Sequence, residues 1–233
     1  MFGAAAPLYL TLLPPRVPQY GNCKHTRWQW HPLPNAEATC LDGSTAGFYH
    51  TPAVGAVFSR SWVIYFEGGG WCVSEADCAV RATSTRGSSR KWPGNGTNFG
   101  QLLNKCCFAT PFCRFHRVML KSCDGHSFAG GAEIASPLRL GLTSRTASGT
   151  SNGPATLRSA GRAIVSGTVA ILLSHLGLRD AADVLVTGCS AGGLAALLHA
   201  EGIRDAMRAA GATPRRFKVC TRQCMHRMRH AHP

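Results

Sequence analysis

The sequence predicts an α/β fold with a mostly parallel sheet flanked by helices. Short apolar runs of strand length end in glycine or cysteine-rich turns, and longer stretches carry apolar residues at helical spacing. The two kinds alternate as strand, helix, strand, helix toward the C-terminal part. The chain has 233 residues, 45% hydrophobic and 15% charged, enough for a buried core in one domain or two small ones. That composition excludes bulk disorder.

In order along the chain, residues 1–38 are rich in proline and aromatics without periodicity and read as irregular. Ser61–Phe66 reads as a buried strand feeding the glycine loop Glu67-Gly68-Gly69-Gly70. Arg117–Lys121 reads as a second strand, closed by Cys123-Asp124-Gly125. The Ser/Thr/Gly tract Thr143–Pro154 has no apolar pattern and reads as a flexible surface loop. Apolar residues at 164, 165, 169, 171, 172, 173 and 176 give Arg158–Leu176 the broad buried face of a helix. A third strand spans Asp183–Thr187, and a second long helix runs from Ala191 to about Met207. There is no internal repeat. The longest charge-free apolar stretch, Ala163–Leu178, is shorter than the roughly 20 residues a membrane span needs. The N-terminus makes a poor signal peptide: no Lys or Arg precedes Arg16, and prolines box in Leu8–Leu13.

Lys and Arg number 25 against 11 Asp and Glu, a formal charge of +14. Six of the cations, Arg215, Arg216, Lys218, Arg222, Arg227 and Arg229, fall in residues 215–233, which hold no acid and read as a disordered basic tail. The rest of the chain is moderately basic, which suits an anionic partner. No basic motif interleaved with aromatics points to nucleic acid.

The sharpest chemical signal is Gly188-Cys189-Ser190-Ala191-Gly192, a G-x-S-x-G directly after an apolar strand and directly before a helix. That setting is the nucleophile elbow of an α/β-hydrolase. The turn is tight enough to require small neighbours, supplied by Gly188, Gly192 and Gly193. It exposes the Ser190 hydroxyl above the sheet edge and aims the Ala191 amide, with the helix dipole, at a developing oxyanion. The second signal is Phe66-Glu67-Gly68-Gly69-Gly70-Trp71-Cys72. In this class of fold further oxyanion donors come from a glycine-rich loop after an earlier strand, here the amides of Gly70 and Trp71.

With these residues in view, the chain resembles the pectin acetylesterase family, which includes the Notum carboxylesterases. The resemblance is carried by Cys40-Leu41-Asp42-Gly43-Ser44, the Phe66–Cys72 segment, Arg86-Gly87-Ser88-Ser89, Arg117–Gly125 with Ser127-Phe128, and Gly188–Ala195, in the family's order across roughly residues 40–200. The spellings of the glycine loop and the elbow favour the pectin acetylesterase branch. The resemblance implies an α/β-hydrolase-like domain over residues 39–214 and a secreted serine carboxylesterase of the extracellular space or cell wall. Ser190 would be the nucleophile, with Gly70, Trp71 and Ala191 as the oxyanion hole. No metal or cofactor is needed. The substrate would be acetylated pectin or a related acidic polysaccharide, the enzyme a monomer. The resemblance also implies the disulfides Cys72–Cys78 and Cys40–Cys123. Cys113 is expected to pair with Cys106 or Cys107, adjacent cysteines between which the sequence does not choose, and Cys189 reads as a buried free thiol.

The chain departs from the pattern after Ser190. A serine nucleophile needs a general base and a residue to orient it, in the order Ser, Asp or Glu, His. The acids that follow, Glu201 and Asp205, lie with His199 on the helix leaving the elbow, whereas His226, His230 and His232 lie in the tail. The expectation is therefore a C-terminally truncated member whose triad Asp and His lie outside the chain. The tail's Cys220, Cys224, His226 and His230 have paired Cys and His spacings found in zinc sites, but one residue between Cys224 and His226 leaves no loop to fold a finger. A disordered tail is the preferred reading.

Overall fold

A computed structural model describes residues 27–95, 99, 101–103, 110–135, 144–146, 149–151 and 156–222. Ten strands and three helices occur among them. The strands are β1 (Gln29–Pro32), β2 (Gly47–Thr51), β3 (Ser61–Phe66), β4 (His116–Leu120), β5 (Ala132–Ala135), β6 (Ser144–Thr146), β7 (Gly149–Ser151), β8 (Thr156–Ser159), β9 (Asp183–Cys189) and β10 (Arg216–Arg222). The helices are α1 (Glu75–Ala82), α2 (Gly161–Ser174) and α3 (Ala191–Ala209).

Six strands form one sheet in the order β1-β2-β4-β3-β9-β10. The four from β4 to β10 run parallel, whereas β1 and β2 add on antiparallel. This is the mostly parallel sheet of an α/β-hydrolase-like fold. Strands β3 and β9 are apolar on both sides because both faces of the sheet are covered. Trp62, Ile64, Phe66, Val184 and Val186 face a core shared with Ile164, Val165 and Leu172 of α2 and Ala195, Ala196 and Ile203 of α3. Val63 and Leu185 alternate to the other face, against Trp28, Leu103, Phe112 and Phe115. The expected helices and the three expected strands are all present, with ends shifted by a few residues.

Three sequence readings are corrected. Residues 29–32, read as irregular, form β1, where Trp30 packs on Tyr49 of β2 and Trp92. Within the tract read as a flexible loop, β6 and β7 pair as an antiparallel hairpin. Part of the tail read as disordered is β10, paired in parallel with β9 from Arg216 against Asp183 to Arg222 against Cys189. Its cations do not oppose folding there, because Arg216 Nη2 donates to Asp183 Oδ2 at 2.8 Å and Phe217 packs against the core. Residues 223–233, with Cys224 and the tail histidines, lie outside the described residues, as do residues 1–26. No described helix is long and apolar enough to cross a membrane.

Candidate active site

The parallel register places the ends of three strands side by side: Phe66 of β3 lies opposite both Leu120 of β4 and Gly188 of β9. The segments that follow, 67–72, 121–128 and 189–193, therefore leave the sheet at one end. Open α/β sheets bind ligands at the carboxyl ends of their strands.

Ser190 stands between β9 and α3 at φ 55°, ψ −123°, and its side chain is exposed. A serine in this backbone region is strained by about 1–3 kcal/mol and persists only where its surroundings enforce it. Here they do so by close approach. A Cβ on Gly188 would lie 2.1 Å from the Gly192 carbonyl oxygen, and one on Gly192 would lie 2.1 Å from that of Phe66. Gly193 is less constrained, with its nearest contact at 3.4 Å. The Ser190 carbonyl accepts from the Gly193 and Leu194 amides, starting α3 at the serine.

The glycine loop lies directly on this elbow. A Cβ on Gly68 would meet the Cys189 carbonyl oxygen at 2.1 Å and the Ser190 Cβ at 3.4 Å. Glu67 anchors the start of the loop by accepting from Lys121 Nζ and from the Ser122 amide at 3.0 Å. Beyond the glycines, Trp71 is half exposed, and Cys72 is held by its amide to the Gly125 carbonyl at 2.9 Å and by the disulfide to Cys78. The predicted donors thus belong to segments that meet at Ser190. None of the described residues accepts a hydrogen bond from the amides of Gly70, Trp71 or Ala191.

The third segment, residues 121–128, has a geometry that its sequence does not announce. Ser127 and Phe128 both have positive φ, 54° and 65°. The buried carboxylate of Asp124 holds this turn, accepting from the Phe128 amide at 3.0 Å and the Gly130 amide at 3.3 Å. Ser127 Oγ donates to the Ala191 carbonyl, tying the turn to the residue after Ser190. Two adjacent non-glycine residues at positive φ leave no signature in composition or periodicity.

His199 is not placed to serve Ser190. It lies nine residues along α3, about 13 Å down the axis, where Nε2 meets the Phe128 carbonyl at 2.8 Å and the ring stacks on Phe66. Burial lowers its pKa. Glu201 and Asp205 are exposed on the same helix, with Asp205 paired to Arg208. No described residue bonds Ser190 Oγ.

The implied disulfides Cys40–Cys123 and Cys72–Cys78 are both present. Cys113 is also disulfide-bonded, as expected, whereas its candidate partners Cys106 and Cys107 lie outside the described residues. Cys189 corrects the sequence reading: it is disulfide-bonded rather than a free thiol. It is the last residue of its strand and only partly buried, so another segment can reach it. Cys72, Cys78 and His126 bring their ligand atoms within 4.8 Å of one another. The two sulfurs are bonded to each other, however, and a disulfide is a poor metal ligand, while His126 Nδ1 is within hydrogen-bond distance of Ser159 Oγ at 2.9 Å.

These features have a counterpart among known proteins. A family model described as Pectinacetylesterase matches residues 24–214. The chain belongs to this family. It is 35% identical to pectin acetylesterase 5 of Arabidopsis thaliana over 170 residues, covering 72% of this chain and 35% of that protein. It is 34% identical to pectin acetylesterase 4 of the same plant, covering 72% of this chain and 37% of that protein. It is also 31% identical to the palmitoleoyl-protein carboxylesterase notum1 of Xenopus laevis, covering 78% and 33%. The chain thus spans about a third of the length of the curated relatives it matches. The match begins before β1 and ends at residue 214, just before β10.

Proposed function

We propose that this member of the pectinacetylesterase family acts as a serine carboxylesterase that hydrolyses acetyl esters of cell-wall pectin through an acyl-enzyme on Ser190. The carrying observation is the strained, exposed Ser190 between β9 and α3 with a glycine loop packed against it. Ser190 Oγ attacks the acetyl carbonyl carbon and loses its proton to a general base. The carbonyl oxygen becomes an oxyanion held by the amides of Gly70, Trp71 and Ala191, the last aided by the α3 dipole. One such donor contributes about 3 kcal/mol to lowering the barrier. The carbon–oxygen bond to the sugar breaks, and the sugar oxygen takes up the proton. Water then attacks the acyl-serine through the same oxyanion and releases acetate. Disulfides suit export to an oxidising compartment. The enzyme is read as a monomer that binds no nucleic acid.

A second reading is favoured by one observation: no described histidine or carboxylate bonds Ser190 Oγ. In it, the chain holds the nucleophile and oxyanion donors but no working base, and is catalytically incomplete. Treating the full chain with a fluorophosphonate, mapping the adduct by mass spectrometry, and assaying acetate release from acetylated pectin separates the two. An adduct on Ser190 with acetate release, both lost in Ser190→Ala, supports the esterase. Neither adduct nor acetate from a folded chain supports the incomplete reading and overturns the first.

A further inference from the structure

The glycine loop is gripped from outside by two cations that no ion pair accounts for. Arg81 Nη1 donates to the Gly69 carbonyl at 3.1 Å, and Arg86 Nη1 donates to the same oxygen at 3.2 Å. A Cβ on Gly69 would lie 3.1–3.3 Å from the Arg86 guanidinium, so that side chain lies flat against the loop. Neither arginine has a carboxylate partner among the described residues.

Both arginines are themselves held in place. Arg81 sits in the last turn of α1, whose start is fixed by the Ser74 cap on the Asp77 amide and by the Cys72–Cys78 disulfide. Arg86 follows a tight turn in which a Cβ on Gly87 would come within 2.4 Å of the Arg81 carbonyl oxygen. The sequence Arg86-Gly87 thereby folds Arg86 back onto the loop.

The consequence lies in the geometry of one peptide unit. The Gly69–Gly70 bond is trans, so its carbonyl and its N–H point in opposite directions. Holding the Gly69 oxygen on the arginine side turns the Gly70 N–H away from it. Gly70, at φ 71° and with glycines on one side, would otherwise leave this plane free to rotate. Two charged donors on the carbonyl also polarise the peptide and strengthen its N–H as a donor.

We propose that Arg81 and Arg86 are positioning residues of the oxyanion hole: together they lock the Gly69–Gly70 peptide so that the Gly70 amide faces the reacting carbonyl. This rests on the reading of Ser190 as the nucleophile. The arginines touch no substrate atom in this scheme and act through the peptide they hold.

The test measures fluorophosphonate labelling of the full chain, separated into reagent binding and the rate of bond formation. The Arg81→Ala/Arg86→Ala variant is expected to bond about a hundredfold more slowly with little change in reagent binding. Lysines at both positions, which still donate to the carbonyl, are expected to restore part of the rate. Should the double alanine variant fold poorly, the single variants are expected to show smaller losses of the same kind. An unchanged rate in the double variant, or a loss confined to reagent binding, overturns the proposal. If the wild-type chain forms no adduct at Ser190, the esterase reading falls, and nuclear magnetic resonance decides the clamp. The Gly69 carbonyl and Gly70 amide resonances then shift in the double variant and not in Arg90→Ala if the clamp exists. Unshifted resonances overturn it.

Discussion

The Cβ that Gly192 lacks would lie 2.1 Å from the carbonyl oxygen of Phe66, joining the first turn of α3 to the end of β3. Gly192→Ala therefore forces backbone against backbone, where no flexible side chain can yield. It is expected to destabilise the chain by about 3 kcal/mol, at the upper end for overpacking. Gly202→Ala, in the same helix with open space around it, is expected to stabilise by about 0.5–1 kcal/mol. Denaturant unfolding of the pair checks this: equal effects would mean that close approach does not fix the elbow.

Ser190→Gly relieves the strain of φ 55° while removing the hydroxyl. The variant is expected to melt higher than the parent, by about 1 kcal/mol of added stability, and to form no fluorophosphonate adduct. A lower melting point would show that the serine side chain contributes more to the fold than its backbone strain costs.

His31, His50 and His116 line up across β1, β2 and β4, with His50 Nε2 meeting His116 Nδ1 at 3.1 Å and the His50 and His116 rings stacked with Trp62. Burial, then the neighbouring His116, His31 and Arg117, holds the His50 pKa down to about 3. Burial lowers the other two pKa values as well. The unfolded chain protonates these rings near pH 6.5, whereas the folded chain resists. Stability is then full above about pH 6.5 and falls as pH drops toward 3, with His50 alone accounting for on the order of 3 kcal/mol by pH 4. In His50→Leu the slope of stability against pH in this window should flatten. A slope identical to that of the parent would place the acid sensitivity elsewhere.

The Cys40–Cys123 disulfide joins residues 83 apart, whereas Cys72–Cys78 spans 6. Loop-closure entropy makes the first worth about 4–5 kcal/mol and the second about 2 kcal/mol. Replacing both cysteines of each pair by serine should lower the melting temperature more for the long loop. Removing the short loop should instead have the larger effect on Ser190 labelling, since it anchors the segment following Trp71. Equal labelling in the two variants would contradict that division.

Asp183 opens β9 and receives Arg216 from β10, which lowers its pKa chiefly through that hydrogen bond. Asp183→Asn is expected to cost about 1 kcal/mol, modest because Arg216 is about a third exposed. It should also raise amide exchange along β10 ahead of the rest of the sheet. Uniform exchange across the sheet would mean that the pair does not hold the strand.

Much of this was readable in the sequence because it follows from short-range rules. Ser61–Phe66 and Asp183–Cys189 are uninterrupted apolar runs, and Gly188 to Gly193 lie where a strand must turn into a helix. Strand β10 is masked in the sequence by its charge: Phe217 and Val219 alternate with Arg216, Lys218 and later cations, and the cation run hides the strand period. Its partner acid, Asp183, is 33 positions away, and only the fold brings the two together. The arginine grip on Gly69 escaped for the same reason, since its partners are a helix end and a turn with no local pattern linking them. Cys189 shows the limit of reasoning from burial, because a cysteine in the elbow motif looked enclosed and is bonded instead.

The strand order has a further meaning. β3 lies between β4 and β9, so β9 attaches to the edge of β3 that β4 leaves open. A slip of one residue along that edge would move Val184 and Val186 to the face packed on Trp28 and Leu185 to the face packed on α2 and α3, and would carry Ser190 away from Gly68. A reagent that labels Ser190 would then count only those molecules in which the sheet has zipped up in the right phase. A labelled Ser190 would then serve as a gauge of sheet register during refolding.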